Sequence, residues 1–314
     1  MAGHNTLSFL ASAAPFASFA DADRAAKPQH DSSGKDASAG AATAVIAMVT
    51  GGNRGIGLEI CKQLASNGVT VVLTARDEKR GAKAVSALGL SNVVFHELEV
   101  NNEGITGTTW SVGDPEIFRQ KLAGMDLMER IETINKHITE PYEEAEKCLR
   151  TNYNGIKAVA KALLPLLQSS SHRRIVNMSS DYGLLRFFSR DELKEELNNI
   201  DSLSEQRVDE LSELFLKDFK DGQLEARGWP KEGGFIAYKA SKALANAYSR
   251  ILAKEHPSLC INCVHPGYVE TDMNFQVGHL TVEEGARGAL MMAMAPKGGV
   301  TGAFLDLTEV APFV

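Results

Sequence analysis

An apolar run rich in β-branched residues, Ala44-Val45-Ile46-Ala47-Met48-Val49, breaks into Thr50-Gly51-Gly52-Asn53-Arg54-Gly55-Ile56-Gly57. Leu58 to Ala65 follows at once with helical spacing. Strand, glycine turn and helix in direct succession leave few folds open. Gly51 permits the tight turn, Gly55 lets the backbone approach a pyrophosphate, and Gly57 lets the helix pack close on the strand. Asn53, Arg54 and Ile56 complete a turn at a helix N-terminus, where free N–H groups and the positive dipole end favour phosphate. The turn alone is weak evidence for a dinucleotide. Its strand-turn-helix setting makes it strong.

The alternation continues along the chain. Val69 to Leu73 reads as a second buried strand, Glu78 to Leu88 as a helix, and Asn92 to Val100 as an alternating strand. Tyr142 to Gln168 predicts a long helix, Arg174 to Met178 a strand, and Phe235 to Glu255 another long helix. Leu259 to Val264, Thr281 to Met294 and Gly302 to Leu307 predict strand, helix and last strand. This order predicts an α/β fold with a doubly wound, Rossmann-type parallel sheet in a single domain over residues 44–314. Residues 185–232 read as a helical insertion, in which Val208, Leu211, Phe215 and Phe219 form one apolar stripe.

Net charge of −7 argues against nucleic acid or anionic membrane as a partner, since both need a basic surface. No run reaches the roughly 20 apolar residues of a transmembrane helix. Four cysteines in 314 residues do not make a disulfide framework, which points to a reducing compartment. Cys260 and Cys263 spell C-x-x-C within a strand, where positions three apart face opposite ways, so a shared metal is not expected. Residues 1–43 are Ala/Ser-rich without a periodic apolar face, and read as a disordered leader. Asp21, Asp23, Asp31 and Asp36 favour a cytoplasmic chain over the alternative of a plastid address.

The end of the second strand separates NAD from NADP. An acidic residue there hydrogen-bonds the ribose 2′-hydroxyl, whereas arginine accommodates a 2′-phosphate. Here the strand ends at Arg76, with Arg54 in the glycine turn, so NADPH is expected. Asp77, one position on, keeps NAD as the alternative. Tyr238 and Lys242 lie four apart on a helix and share a face. A phenol can protonate a carbonyl oxygen as hydride reaches carbon, and a nearby ammonium lowers a phenol's pKa from near 10. Tyr153 and Lys157 repeat the spacing, so spacing alone does not single out Tyr238.

The setting does. Thr50–Gly57, Thr151-Asn152-Tyr153-Asn154-Gly155, Arg174-Ile175-Val176-Asn177-Met178-Ser179-Ser180, Tyr238-Lys239-Ala240-Ser241-Lys242 and Val264-His265-Pro266-Gly267-Tyr268-Val269-Glu270-Thr271-Asp272 occur in order. With these segments the chain resembles the short-chain dehydrogenase/reductase family over residues 44–314. The nearest likeness is to its plant carbonyl-reductase-like branch, of salutaridine reductase and menthol or neomenthol dehydrogenase type. The resemblance implies an NADPH-dependent ketone or aldehyde reductase with Tyr238 as acid–base residue. It implies that Ser180 orients the carbonyl, Lys242 holds the ribose and depresses the tyrosine's pKa, and Asn152 supports a relay water. Asn102, Val269 and Thr271 would complete the cofactor site. The long interval between Ser180 and Tyr238 resembles that of monomeric members, whose insertion covers the face others use to dimerise. An apolar cyclic carbonyl compound, terpenoid- or alkaloid-like, is the small-molecule substrate implied. Trp229 and Phe235 are candidates for its pocket or for ordinary core.

One departure stands out. Relatives carry a helix and a further strand where Val100 here joins Asn101, a difference of about 25 to 30 residues. Their Asn-Asn-Ala-Gly reads Asn101-Asn102-Glu103-Gly104 here. Such a loss opens the sheet beside its first strand, or draws residues 93–100 into the central place with Phe95, Glu97 and Glu99 facing an apolar layer. A non-catalytic or defective relative that at most binds nucleotide is therefore the rival expectation.

Overall fold

The computed structural model describes residues 4–5, 45–98, 103–231, 233–296 and 298–314. Its first parallel ladder joins β1 (Ile46–Val49), β2 (Thr70–Ala75) and β3 (Val93–Glu97), with α1 (Gly55–Ser66) and α2 (Glu78–Leu88) as crossovers. The helix ends follow the local chemistry. Asp77 caps α2 by accepting from the Arg80 N–H at 2.8 Å, and Gly89 ends it in the left-handed conformation. The second ladder contains β4 (Arg174–Met178), β5 (Cys260–His265) and β6 (Phe304–Asp306) in parallel, plus an antiparallel β7 (Glu309–Ala311) beyond the expected last strand.

Among the described residues the two ladders do not join. Their orders are β1-β2-β3 and β4-β5-β6-β7, and among the described residues no strand lies between β1 and β4. Residues 93–97 stay on the outer side of β2 and do not slide to the centre. Glu97 is accordingly exposed and Phe95 packs over Gly81, so the cost of burying carboxylates does not arise. Glu99, Val100, Asn101 and Asn102 lie outside the described residues, as does the leader apart from His4–Asn5, which pair with Glu103–Gly104.

Apolar packing spans the division. On one face Met48 and Val72 share a core with Ile175 and Ile261 from the other ladder. On the opposite face Val49, Val71 and Leu73 share a core with Val176, Met178 and Val264. Helices cover both faces, as a doubly wound sheet requires.

Residues 105–140, without a predicted structure, form α3 (Pro115–Ala123) and α4 (Leu127–Lys136), closed by Thr109–Trp110 pairing with Ile138–Thr139. The expected single helix from Tyr142 divides into α5 (Tyr142–Leu149), a wide π turn (Arg150–Asn154) and α6 (Gly155–Ser169). The insertion folds as α7 (Asp191–Asn198), α8 (Glu205–Lys220) and α9 (Leu224–Arg227) ahead of α10 (Ile236–Glu255). Val208, Leu211 and Phe215 of the stripe are buried in the core shared with α10, and Phe219 is partly buried against it. Tyr153 Oη donates to Asp209 at 2.7 Å, and Lys157 pairs with Asp209 and, at 2.7 Å, with Glu205. The second Tyr-Lys pair thus fastens the insertion. After β5 the chain enters α11 (Val282–Met294), capped by a reciprocal Thr281–Glu284 box. No helix among the described residues is long and apolar enough to cross a membrane.

Candidate active site

The C-terminal end of β1 opens into a crevice. Gly51 and Gly55 take φ of 63° and 52°, values that residues with a Cβ rarely adopt. Gly52 is a further necessity that pattern reading passed over: a Cβ there would meet Leu73 at 2.8 Å and Cys61 at 2.9 Å. Ile56 and Gly57 are buried in the first turn of α1. Arg54 begins that helix in extended conformation without a side-chain cap, leaving the end N–H groups available to a ligand.

Across the crevice, buried Val269 bridges to Leu280, and Asn274 braces the turn from Val269 O to Thr271 N. Arg54 reaches Asp272 at 3.3 Å. Arg54, Gly55, Ile56 and Thr271 line a cavity of about 450 Å³ here. Thr50 Oγ1, Asn53 Oδ1 and Thr271 Oγ1 are buried with no hydrogen-bond partner among the described residues. Unpartnered buried polar atoms are costly, so three around one crevice fit a polar ligand there. Arg76 stands exposed at the end of β2, while Asp77 is engaged as the cap of α2.

Tyr238, Lys242, Ser180 and Asn152 come together around α10. Tyr238 and Lys242 are buried one turn apart, and the Lys242 Nζ lies 5.5 Å from the Tyr238 ring centroid. Nζ donates to Met178 O at 2.8 Å. Burial lowers the Lys242 pKa to about 8. The Tyr238 phenol moves against expectation. Burial pushes its pKa up, the Ser180 hydrogen bond pulls the other way, and burial prevails. A neutral phenol is the form that can donate a proton.

Ser180 Oγ also accepts the Tyr182 N–H at 3.2 Å. Asn152 sits in the π turn, a feature often found at functional sites. Its amide exchanges two hydrogen bonds with the Ile105 backbone, at 2.8 and 2.9 Å, and donates to Ser241 at 2.9 Å. Ser241 in turn donates to Tyr238 O at 2.8 Å. Asn152 therefore ties the loop after Gly104 to the helix of Tyr238. Asn102 lies outside the described residues.

Tyr238 and Ser180 open on a second cavity, of about 260 Å³, whose walls include Trp110, Leu127, Ile134, Phe235 and Tyr268. Of the two aromatic candidates only Phe235 lines it. Trp229 is fully buried, meets Phe215 edge to face and Phe188 at a tilt, and donates to Asp218 at 3.0 Å. The α4 wall was open to sequence reasoning, because Leu127, Ile131 and Ile134 recur at helical spacing. Met273 lines both cavities, so the two adjoin.

A glycine crevice adjoining an apolar cavity that the Tyr238 phenol and the Ser180 hydroxyl line, with the Lys242 ammonium buried behind the phenol, fits the oxidoreductase class. Residues 45–190 match the short chain dehydrogenase model. Salutaridine reductase of Papaver somniferum is 42% identical over 302 residues, spanning 85% of this chain and 96% of its own. The (+)-neomenthol dehydrogenase of Arabidopsis thaliana is 39% identical, spanning 85% and 97%. The solved structure of salutaridine reductase from Papaver somniferum superposes with a TM-score of 0.74 at 40% identity, covering 83% of this chain and 98% of that one. The chain belongs to the short-chain dehydrogenase/reductase family. The match to salutaridine reductase runs over 302 positions, more than the 85% of this 314-residue chain that it uses, so part of that relative faces no residue here.

Proposed function

We propose that this chain reduces a ketone or aldehyde to an alcohol with NADPH, and that Tyr238 protonates the carbonyl oxygen. The observation that carries the reading is the opening of Tyr238 and Ser180 on an apolar cavity that adjoins the glycine crevice. Bound in that crevice, NADPH would supply hydride to the carbonyl carbon. Gly51, Asn53, Arg54, Gly55, Ile56, Gly57, Val269 and Thr271 would hold it, with Tyr238 and Lys242 at its ribose; Asn102, outside the described residues, is the remaining candidate. Arg54 and Arg76 favour a 2′-phosphate, and the engagement of Asp77 as a cap weakens the NAD alternative. A rat relative bears the name carbonyl reductase [NADPH] 3, at 34% identity.

In this reading Ser180 holds the substrate oxygen near the Tyr238 phenol. The phenol stays protonated until needed, because burial disfavours tyrosinate. Lys242 stands beside it as a cation that sheds its proton near neutral pH. Asn152 positions α10 and the cavity rim together. The walls suit an apolar, cyclic carbonyl compound, and relatives named salutaridine reductase, (-)-isopiperitenone reductase and (+)-neomenthol dehydrogenase suit it as well. We further propose a cytoplasmic monomer with no nucleic-acid or membrane partner. The free cysteines and the insertion that covers α10 support this.

The divided ladder supports a loss of about 25 to 30 residues after Val100, a helix and a strand by length. It also favours a second reading, a nucleotide-binding protein without turnover. Tyr238→Phe separates the two. The variant should keep NADPH binding, followed by cofactor fluorescence, and lose reduction of cyclic ketones by roughly a thousandfold, the scale of general acid catalysis. Turnover retained in Tyr238→Phe would end the assignment of the phenol, and a wild type that binds NADPH without oxidising it would support the second reading.

A further inference from the structure

The first turn of α10 is held from outside the helix. Phe235 precedes it with φ 56° and ψ 36°, a left-handed conformation rare for a bulky residue, and its side chain makes no cap. Glu140, at the end of the Ile138–Thr139 strand, supplies the missing acceptor. Its carboxylate accepts the Ala237 N–H at 3.2 Å, and the nearby N–H groups of Ile236 and Phe235 favour its charged form. Gly234, at φ 65°, approaches the same segment so closely that a Cβ would meet Asn135 at 2.7 Å and Ile138 at 2.8 Å. Phe235 is a wall of the substrate cavity, and Tyr238 comes three residues later.

We propose that Glu140 is a positioning residue: its carboxylate fixes the first turn of α10, and thereby the Phe235 wall and the direction of the Tyr238 phenol. The inference rests on the reductase reading of that cavity. Burial holds the Glu140 carboxyl above the usual carboxylate range, although the backbone N–H groups and Lys239 act to lower it. The titratable groups that act with it are Lys239 on α10 and the Cys148 thiol on α5. A raised carboxyl pKa means that the charged form is less favourable in the folded chain than in water. Ionising Glu140 therefore costs stability relative to its protonated form, which Glu140→Gln mimics, while the carboxylate orders one turn.

Glu140→Gln in the full chain tests this. Its kcat should fall roughly tenfold to a hundredfold, the upper figure being the scale of a catalytic group displaced by about 1 Å, with the Kd for NADPH unchanged and the thermal midpoint not lowered. In the wild type kcat should decline as pH drops through the raised pKa of Glu140. The glutamine variant has no proton to take up and should stay level on that side, whereas Glu140→Asp should restore the decline. Hydrogen exchange should quicken in residues 233–238 of Glu140→Gln and stay unchanged in 244–255. Wild-type kcat and pH profile in Glu140→Gln would overturn the proposal, as would a joint loss of thermal midpoint and NADPH binding. An inactive wild type would overturn the reductase reading alone. Unchanged exchange in residues 233–238 would overturn the anchoring by Glu140 in an active or an inactive protein.

Discussion

The ladder of β1, β2 and β3 and the ladder of β4 to β7 carry different parts of the site. The first ends in the glycine turn and Arg76, and so provides the proposed grip on a dinucleotide. The second ends in Ser180 and, through α10, presents Tyr238 and Lys242. In an undivided parallel sheet these parts are aligned by backbone hydrogen bonds, whose register is unforgiving. Among the described residues no ladder joins them, and alignment falls to side chains. Two cores each draw residues from both ladders. At the rim, Asn152 holds Ile105 to the helix of Tyr238. Packing can replace a strand as a mechanical link, although dispersion and burial specify register less sharply than paired backbone groups.

The link between the two ladders is most vulnerable in the core. Ile60 of α1 is fully buried in the face shared by both ladders. Ile60→Ala should cost about 2 to 5 kcal/mol, measured by calorimetry. The variant should still melt in one transition, with both ladders lost together. Two separated transitions, with only the first displaced, would show that the ladders fold independently.

A smaller effect should come from the catalytic side. The Lys242 pKa falls to about 8 in the folded chain, against about 10.4 unfolded. Between those values the unfolded chain holds a proton that the folded chain has released, so stability rises with pH across that window. Lys242→Met removes this rise. From about pH 8 to about pH 10, urea melts should show the wild type gaining about 2 kcal/mol relative to the variant. A constant difference between the two proteins would mean that Lys242 is not buried as described.

The cofactor side should respond least. Arg76→Ala should weaken NADPH binding about tenfold, the scale of one hydrogen bond to a charged group, and leave NADH binding unchanged. Equal losses for both cofactors, measured by calorimetric titration, would remove Arg76 from the 2′-phosphate. Recognition of the 2′-phosphate would then fall to Arg54.

Local rules made most of this architecture legible. The β-branched run at Ile46, the glycines after it, the Asp77 and Thr281 caps and the apolar stripe from Val208 each act within a few residues, where sequence spacing is spatial position. The phenol and the ammonium of α10 were legible for the same reason. What escaped depends on distant partners. Gly52 is required by Leu73 and Cys61 across the turn. The π turn at Asn152 lies inside a continuous helical pattern, and only its contacts with Ile105 and Ser241 distinguish it. Trp229 and Phe235 looked equivalent until tertiary packing sent one to Asp218 and the other to the cavity. The rise of the Tyr238 pKa was missed because proximity to an ammonium can be read from spacing, whereas the depth of burial cannot.

The proposed reduction requires the two ladders, unjoined among the described residues, to bring the Tyr238 phenol to a carbonyl beside a dinucleotide. Its most direct test is the rate at which purified full-length protein oxidises NADPH with and without a cyclic ketone. A ketone-dependent rate, absent with NADH at equal concentration, is the result expected. A protein that binds NADPH tightly yet shows no ketone-dependent oxidation across cyclic terpenoid and alkaloid carbonyl compounds would contradict it.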